Sequence, residues 1–328
     1  LSSRNQCVKI NACVSNQESI SIGVPQGSIL GPLFFIIYLN EFFKICNPHQ
    51  AVLYADDATC LISNSDLPTA ISESKLLLTK VSQWFMSNKL SLNVNKTKFM
   101  VLTKSNSMAN IPESLSYGTN CIERVLHAKL LGVIVDSKLT WRHHINHISA
   151  RLSRATAIMH KLRYLVNRKW AYHLYNSFFL PHINYCCNIW GSASKTVIHP
   201  LNIAQRRAIK LILKKDRLYS TALLYRESLL FTVEEIYNIQ ILIFMYKYHT
   251  HRLPAAFSNI FVNHLDVVGR STRQQYEYYV QTYRLTLTQR TLLYLGPLWW
   301  NTLPTNLKNA ASAEAFKCNP KSHLKSLK

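Results

Sequence analysis

The spacing of apolar residues changes period once, near Trp141, and that change does most to limit what the chain can fold into. Upstream, apolar and polar residues alternate in short runs. These are Val8, Ile10 and Ala12; Ile20 and Ile22 after a polar Ser15-Asn16-Gln17 turn; Ala51 to Tyr54; Thr59 to Ile62; Phe99, Val101 and Thr103; and Leu130 to Val135. A period of two marks strands. Two helical stretches interrupt it. Ser28 is placed to cap an apolar helix through Leu33, Ile36, Ile37 and Leu39 to about Phe43, with Gly31 and Pro32 in its first turns. From Pro68 to Asn88, Ile71, Leu78, Val81 and Phe85 share a face that Leu77 and Trp84 widen. The order β–β–α–β–β–α–β–β predicts a mixed α/β sheet. Downstream, Ile145, Ile148, Leu152, Ala155, Met159, Leu162 and Val166 follow the 3–4 spacing of one amphipathic helix of about six turns. Further helices are expected at 169–180, 196–214 and 233–249, an extended segment over Tyr276 to Leu287, and a helix over Thr291 to Thr302.

Charge divides the chain in the same place. The 328 residues carry 38 Lys and Arg against 16 Asp and Glu, a net charge of +22. A surplus of that size points to a polyanionic partner such as nucleic acid. Between Lys138 and Arg217 lie fifteen basic residues and one acid, Asp216. Arg151, Arg154, Lys161 and Arg163 fall largely off the apolar stripe of the long helix. A merely solvated helix face usually mixes signs, so a single-signed face reads as a phosphate-binding surface.

The longest apolar run, Ile29 to Leu39, contains Gly31 and Pro32 and falls well short of the ~20 residues that cross a bilayer, so no membrane partner is expected. The chain begins Leu1-Ser2-Ser3-Arg4, without Met and without a basic or apolar leader, which reads as a piece of something longer lacking a secretory signal. Eight cysteines, at 7, 13, 46, 60, 121, 186, 187 and 318, form no C-x-x-C pair. That argues against a zinc ribbon or a disulfide framework and for a reducing compartment, nucleus or cytoplasm.

Tyr54-Ala55-Asp56-Asp57 lies between two apolar runs, which puts adjacent carboxylates at a tight β-turn. Like charges there repel, and burying them is costly unless a cation neutralises them. Mg²⁺ takes oxygen ligands from one or two carboxylates plus substrate phosphates, and paired ions of this kind serve phosphoryl transfer. An exposed Asp-Asp turn is the plain alternative. About thirty residues upstream stands Gly23-Val24-Pro25-Gln26-Gly27-Ser28-Ile29-Leu30-Gly31-Pro32.

Together the two blocks resemble the reverse transcriptases of non-LTR (LINE-like, jockey-type) retrotransposons. The resemblance continues in order through Leu92-Asn93-Val94-Asn95-Lys96-Thr97-Lys98, Lys129-Leu130-Leu131-Gly132-Val133-Ile134-Val135-Asp136, and Leu139-Thr140-Trp141. It extends to Leu180-Pro181-His182-Ile183-Asn184-Tyr185, Trp190-Gly191 and Gly296-Pro297-Leu298-Trp299-Trp300-Asn301-Thr302-Leu303-Pro304. The fold it implies is an α/β partial polymerase palm (a mixed β-sheet with helices), followed by an α-helical thumb and a mostly helical C-terminal extension. The expected division is residues 1–141 for the palm with its primer grip, 142–230 for the basic thumb and 231–328 for an extension of unassigned role. The activity implied is extension of a DNA primer on an RNA template from deoxynucleotides, with Mg²⁺ or Mn²⁺. Asp56 and Asp57 match the metal-binding pair. Gln26, Gly27, Ser28 and Tyr54 belong to the blocks that line the incoming nucleotide and template, and Lys96 matches a lysine near the nucleotide phosphates. Leu131 and Gly132 match the primer grip, and the basic face of the long helix would track the template–primer duplex.

One element of that pattern is absent. Such a palm needs a further aspartate on a strand upstream of the Gly23–Ser28 block, and only Glu18 and Glu41 precede Asp56. The fingers and the first half of the palm are therefore expected to be missing from this chain, leaving it inactive alone. The alternative is a non-catalytic nucleic-acid-binding remnant or host-adopted protein. His143, His144 and His147 open the long helix without the Glu or third ligand of a zinc site, and read as a solvated helix start. His182 near Cys186-Cys187 reads as packing.

Overall fold

The computed structural model describes residues 4–20, 23–25, 27–103, 111–118, 120–268, 277–312 and 314–316. They form two compact units. One comprises the residues up to Val101 together with those ending at Val125; the other comprises Leu102, Thr103 and the residues from Leu126 onward.

In the first unit, β1 (Arg4–Gln6) pairs antiparallel with β4 (Glu18–Ile20), enclosing a shorter hairpin of β2 (Lys9–Ile10) and β3 (Cys13–Val14). The reversal falls at Asn11-Ala12, where Asn11 takes φ 55°, a left-handed value that Asn tolerates. Ser15-Asn16-Gln17 is not the turn. Ser15 follows β3 directly, donating its N–H to the Val8 carbonyl at 2.9 Å, while its Oγ accepts the Val8 N–H at 2.9 Å.

The apolar helix is shorter than its sequence suggests. α1 (Gly31–Leu39) starts after Leu30, and a break at Asn40-Glu41 separates it from α2 (Phe42–Cys46). Ser28 is not its N-cap, although its Oγ accepts the Gly31 N–H at 3.0 Å. β5 (Gln50–Tyr54) and β6 (Asp57–Leu61) form a tight hairpin, and α3 (Leu67–Ser87) follows, capped by the Asp66 carboxylate on the Thr69 N–H at 3.0 Å. The expected face of α3 is the one used. Leu77 and Val81 pack with Phe42 and Cys46, flanked by Leu53, Ile62, Trp84 and Phe85.

β7 (Ser114–Tyr117) and β8 (Asn120–Glu123) form a hairpin that the sequence reading did not anticipate. Of the strand expected over Phe99, Val101 and Thr103, only Phe99 makes a bridge, to Arg124. Among the described residues the strands make five separate two-stranded sheets rather than one mixed sheet.

The second unit opens with β9 (His127–Leu130) and β10 (Val133–Asp136), a hairpin where alternation alone suggests one strand over Leu130 to Val135. The change of period at Trp141 thus lies inside this unit, not at its edge. α4 (Arg142–Leu162) buries Ile145, Ile148, Leu152, Ala155 and Met159, the expected stripe, and stops before Val166. The segment expected as one helix over 169–180 is α5 (Arg168–Leu174), a π-helical turn at Tyr175–Phe179 and α6 (Leu180–Asn184). After α7 (Cys187–Trp190) come α8 (Lys195–Leu213), α9 (Thr221–Ser228) and α10 (Val233–His249). Ser194 caps α8, and a capping box of Thr232 and Glu235 starts α10. Trp190, Tyr175, Phe179, Ile183, Leu201, Ile241 and Met245 fill the space between these helices. Gln205 is buried among them and fully used: its Nε2 donates to Tyr175 Oη and the Phe231 carbonyl, and its Oε1 accepts from Tyr225 Oη, each at 2.9 Å. The chain continues through α11 (His264–Val268), α12 (Thr286–Gln289), α13 (Leu292–Thr302) and α14 (Thr305–Lys308). The extended segment expected from Tyr276 begins outside the described residues; within them Tyr278 bridges Asn263 and α12 starts at Thr286.

Candidate catalytic turn and nucleic-acid interface

In the first unit Tyr54 pairs with Asp57 across a two-residue turn, Ala55-Asp56, and Ala55 takes φ 51°. Period two then sorts the hairpin's residues. Ala51 and Leu53 turn toward the Phe42–Val81 cluster, whereas Val52, Tyr54 and Leu61 lie on the open face and are exposed. Both aspartates are exposed as well. The expectation that burial forces a cation onto this pair therefore does not hold for the turn as it stands, because water already screens both carboxylates. The oxygen donors suit a hard divalent ion. Among the described residues, however, no group of three His, Cys, Asp or Glu is arranged to hold one. Two carboxylates alone make an incomplete donor set for such an ion.

The glycine block is a turn rather than the start of a helix. Gly27 takes φ +84°, which favours glycine, and the Ser28 N–H closes on the Pro25 carbonyl at 3.1 Å. Open space surrounds Gly27, so conformation and not crowding demands glycine in this chain. Gln26 lies outside the described residues. Lys96 is exposed on a turn organised by Asn93, whose side-chain and backbone oxygens accept its N–H at 3.2 and 3.1 Å.

In the second unit Leu131 and Gly132 form the β9–β10 turn, with φ 45° and 88°. Tyr185 braces it. Its hydroxyl donates to the Leu131 carbonyl, and a Cβ on Gly132 would come within 3.2 Å of its ring. The Lys129–Asp136 and Leu180–Tyr185 motifs thus meet at one turn, a contact that neither reveals alone. Asp136 ties the hairpin to α4. It is buried, and its carboxylate accepts the N–H groups of Lys138 (3.2 Å), Thr140 (2.9 Å) and Trp141 (2.7 Å) and the Thr140 hydroxyl (3.2 Å). Sequence reasoning missed this role; the signal was Asp136 preceding Ser137, Thr140 and a helix start.

Along α4, Arg151, Arg154 and Lys161 are exposed and make no ion pair among the described residues. With His147 they stand at spacings of 4, 3 and 7, one continuous face. Arg163 departs from that face. It lies past the helix end, folds over the Tyr164 ring at 4.4 Å and bonds Tyr164 Oη and His160, each at 2.7 Å. His144 is not a solvated helix start: it is buried, its Nδ1 accepts the Ile134 N–H at 3.2 Å, and burial followed by the charges of His147 and Arg151 pulls its pKa down to about 4. Its ring meets Trp190 edge-on at 5.9 Å. Cys187 is buried packing, as expected. Among the described residues no single helix is long and apolar enough to cross a membrane.

Residues 3–135 match the family model described as reverse transcriptase (RNA-dependent DNA polymerase). Over 248 residues the chain is 30% identical to the probable RNA-directed DNA polymerase from transposon BS of Drosophila melanogaster, covering 72% of this chain and 27% of that protein. It is 24% identical to the probable RNA-directed DNA polymerase from transposon X-element of the same species (73% and 27%) and 26% identical to the RNA-directed DNA polymerase from mobile element jockey (65% and 24%). The chain thus spans about a quarter of the length of these curated relatives. No solved structure matches it. The order of the blocks, the residues matched and the relatives agree: the chain belongs with the reverse transcriptases of LINE-like, non-LTR retrotransposons.

Proposed function

We propose that the chain carries the metal-binding turn, primer grip and thumb of an RNA-directed DNA polymerase that extends a DNA primer on an RNA template by two-metal phosphoryl transfer. The observation that carries this reading is the Asp56-Asp57 pair at the tip of a tight hairpin whose apolar outer face, Val52, Tyr54 and Leu61, is open. α1 is open in the same way, with Leu33, Phe34, Ile36 and Ile37 exposed. An upstream palm half would cover such surfaces and bring the further carboxylate.

Asp56 and Asp57 would hold Mg²⁺ or Mn²⁺, which supplies charge stabilisation to the attacking and leaving oxygens. The Gly27-Ser28 turn and Tyr54 line the nucleotide and template, and Lys96 faces the phosphates of the deoxynucleotide. Leu131 and Gly132 hold the primer end. Arg151, Arg154 and Lys161 follow the duplex backbone; Arg163, bound to Tyr164, contributes less.

Alone the chain is inactive, because two carboxylates leave the metal set short. Primer extension on an RNA template tests this. With the upstream half restored, Asp56→Asn should abolish incorporation while duplex affinity and the thermal melt stay at the parent's values. Incorporation by the isolated chain that vanishes in Asp56→Ala would overturn the account of the missing ligand. A second reading, a non-catalytic nucleic-acid-binding protein, draws on the exposed, single-signed basic face of α4 and on the lack, among the described residues, of a third ligand. It is supported instead if the restored protein binds duplex but never extends a primer.

A further inference from the structure

A cavity of about 360 Å³ lies in the second unit between the β9–β10 turn, α4 and α6. Its walls include Lys129, His144, His147, Arg151, His182 and Tyr185. Two of these residues are fully cationic, three are histidines, and no acid lines the cavity. The one buried carboxylate nearby in sequence, Asp136, is committed to its four hydrogen bonds. His144 adds a second, independent observation. With Nδ1 accepting from Ile134, its proton sits on Nε2, and that buried N–H finds no partner. A buried donor left unmatched costs about 1–3 kcal/mol, which a ligand oxygen would recover.

We propose that this cavity is an anion site that takes a phosphate group, at the root of the basic face of α4. The inference rests on the nucleic-acid reading only for the source of that phosphate, which is a strand's backbone rather than a free inorganic anion.

Its electrostatics agree. Burial, followed by Arg151, Lys129, Arg154 and His182, holds His147 below the usual histidine range; burial and the same two arginines do so for His182. An anion between them reverses the charge repulsion and favours protonation of both. Binding therefore takes up protons and strengthens as pH falls. No three of the cavity's histidines are arranged as ligands of one metal among the described residues, so the site is suited to an anion and not a cation.

The test uses the full 328-residue chain and sulfate, which keeps its charge from pH 5.5 to 7.5. Titration followed through the histidine side-chain NMR signals should show saturable shifts of His144, His147 and His182. Apparent affinity should rise about tenfold or more on lowering pH across that range, since each proton taken up can add up to about tenfold per pH unit. Arg151→Gln should weaken it at least tenfold. Lys161→Gln, about three turns further along the exposed face, should leave it unchanged. Histidine shifts that do not saturate, or equal weakening in both variants, would overturn the site in favour of a diffuse surface field. A short single-stranded DNA that displaces sulfate supports the backbone source. Displacement by pyrophosphate but not by DNA overturns that source while leaving the phosphate site in place. Salt-dependent duplex binding that survives without saturable histidine shifts would sink the site alone, and the proposed function would stand.

Discussion

The two units solve the burial problem to different degrees. The helical unit closes a core around Trp190, Tyr175, Phe179 and Met245, with Gln205 satisfied inside it. The hairpin-rich unit buries one small cluster, Phe42, Cys46, Leu77 and Val81, and leaves Ile29, Ile36, Ile37, Val52 and Tyr54 open. Both are comparably apolar in sequence. A helix can bury its stripe against its sequence neighbours, whereas a two-stranded hairpin has an outer face that only further chain can cover. The unit bearing the carboxylates is accordingly the one with apolar surface left open.

Duplex binding offers the largest effect by which to break this comparison. If the basic face of α4 neutralises six to ten phosphates together with its neighbours, affinity should fall about 10³–10⁵-fold between 50 and 200 mM salt. Replacing Arg151, Arg154 and Lys161 with Gln should flatten the slope of log K against log salt by up to about three units. A folded triple variant with the parent's slope would show that this face is merely solvated.

Core truncation comes next. Trp190→Ala should cost about 3–5 kcal/mol in denaturant melts, since the ring is fully buried and its Nε1 bonds the Tyr185 carbonyl at 2.8 Å. Gln205→Leu should cost about 1–3 kcal/mol, because the Tyr225 hydroxyl loses its acceptor and the Phe231 carbonyl a donor. If either variant melts like the parent, the helical unit is not the closed core described.

Acid sharpens the contrast more gently. His144 is held neutral, with its pKa depressed to about 4, so the unfolded chain binds its proton more readily. Stability from this group is present above about pH 6.5 and is lost as pH falls toward 4, with a slope of up to about 1.4 kcal/mol per pH unit. A stability profile in which His144→Gln leaves that slope intact would assign it elsewhere. The smallest effect belongs to the open unit. Ile36→Ser with Ile37→Ser should change stability by no more than about 0.5 kcal/mol in this chain, because both side chains are already in water. With the upstream half present, the same pair should become costly.

What the sequence disclosed follows the reach of its signals. The faces of α3 and α4 and the bounds of α8 and α10 were legible, because a helix is specified by its own neighbours. Strand partnership was not: Leu130 to Val135 alternates like one strand, yet Leu131 and Gly132 fold it back. The Ser114–Glu123 hairpin escaped notice because its strands are four residues each around Gly118. At the candidate site the carboxylates and the basic helix could be found from residue type and spacing. The brace of Tyr185 on Leu131 and the three-histidine cavity could not, since both join segments some 50 residues apart that carry no periodic mark of their contact.

The Asp136 linkage also has a mechanical side. α4 has 21 residues, so at 1.5 Å per residue it is a rod about 31 Å long whose near end is tied to the β9–β10 hairpin by the Asp136 carboxylate and by the Ile134–His144 hydrogen bond. Ile145, Ile148, Leu152, Ala155 and Met159 are buried along that length, so hairpin and rod are held as one stiff lever rather than jointed where they meet.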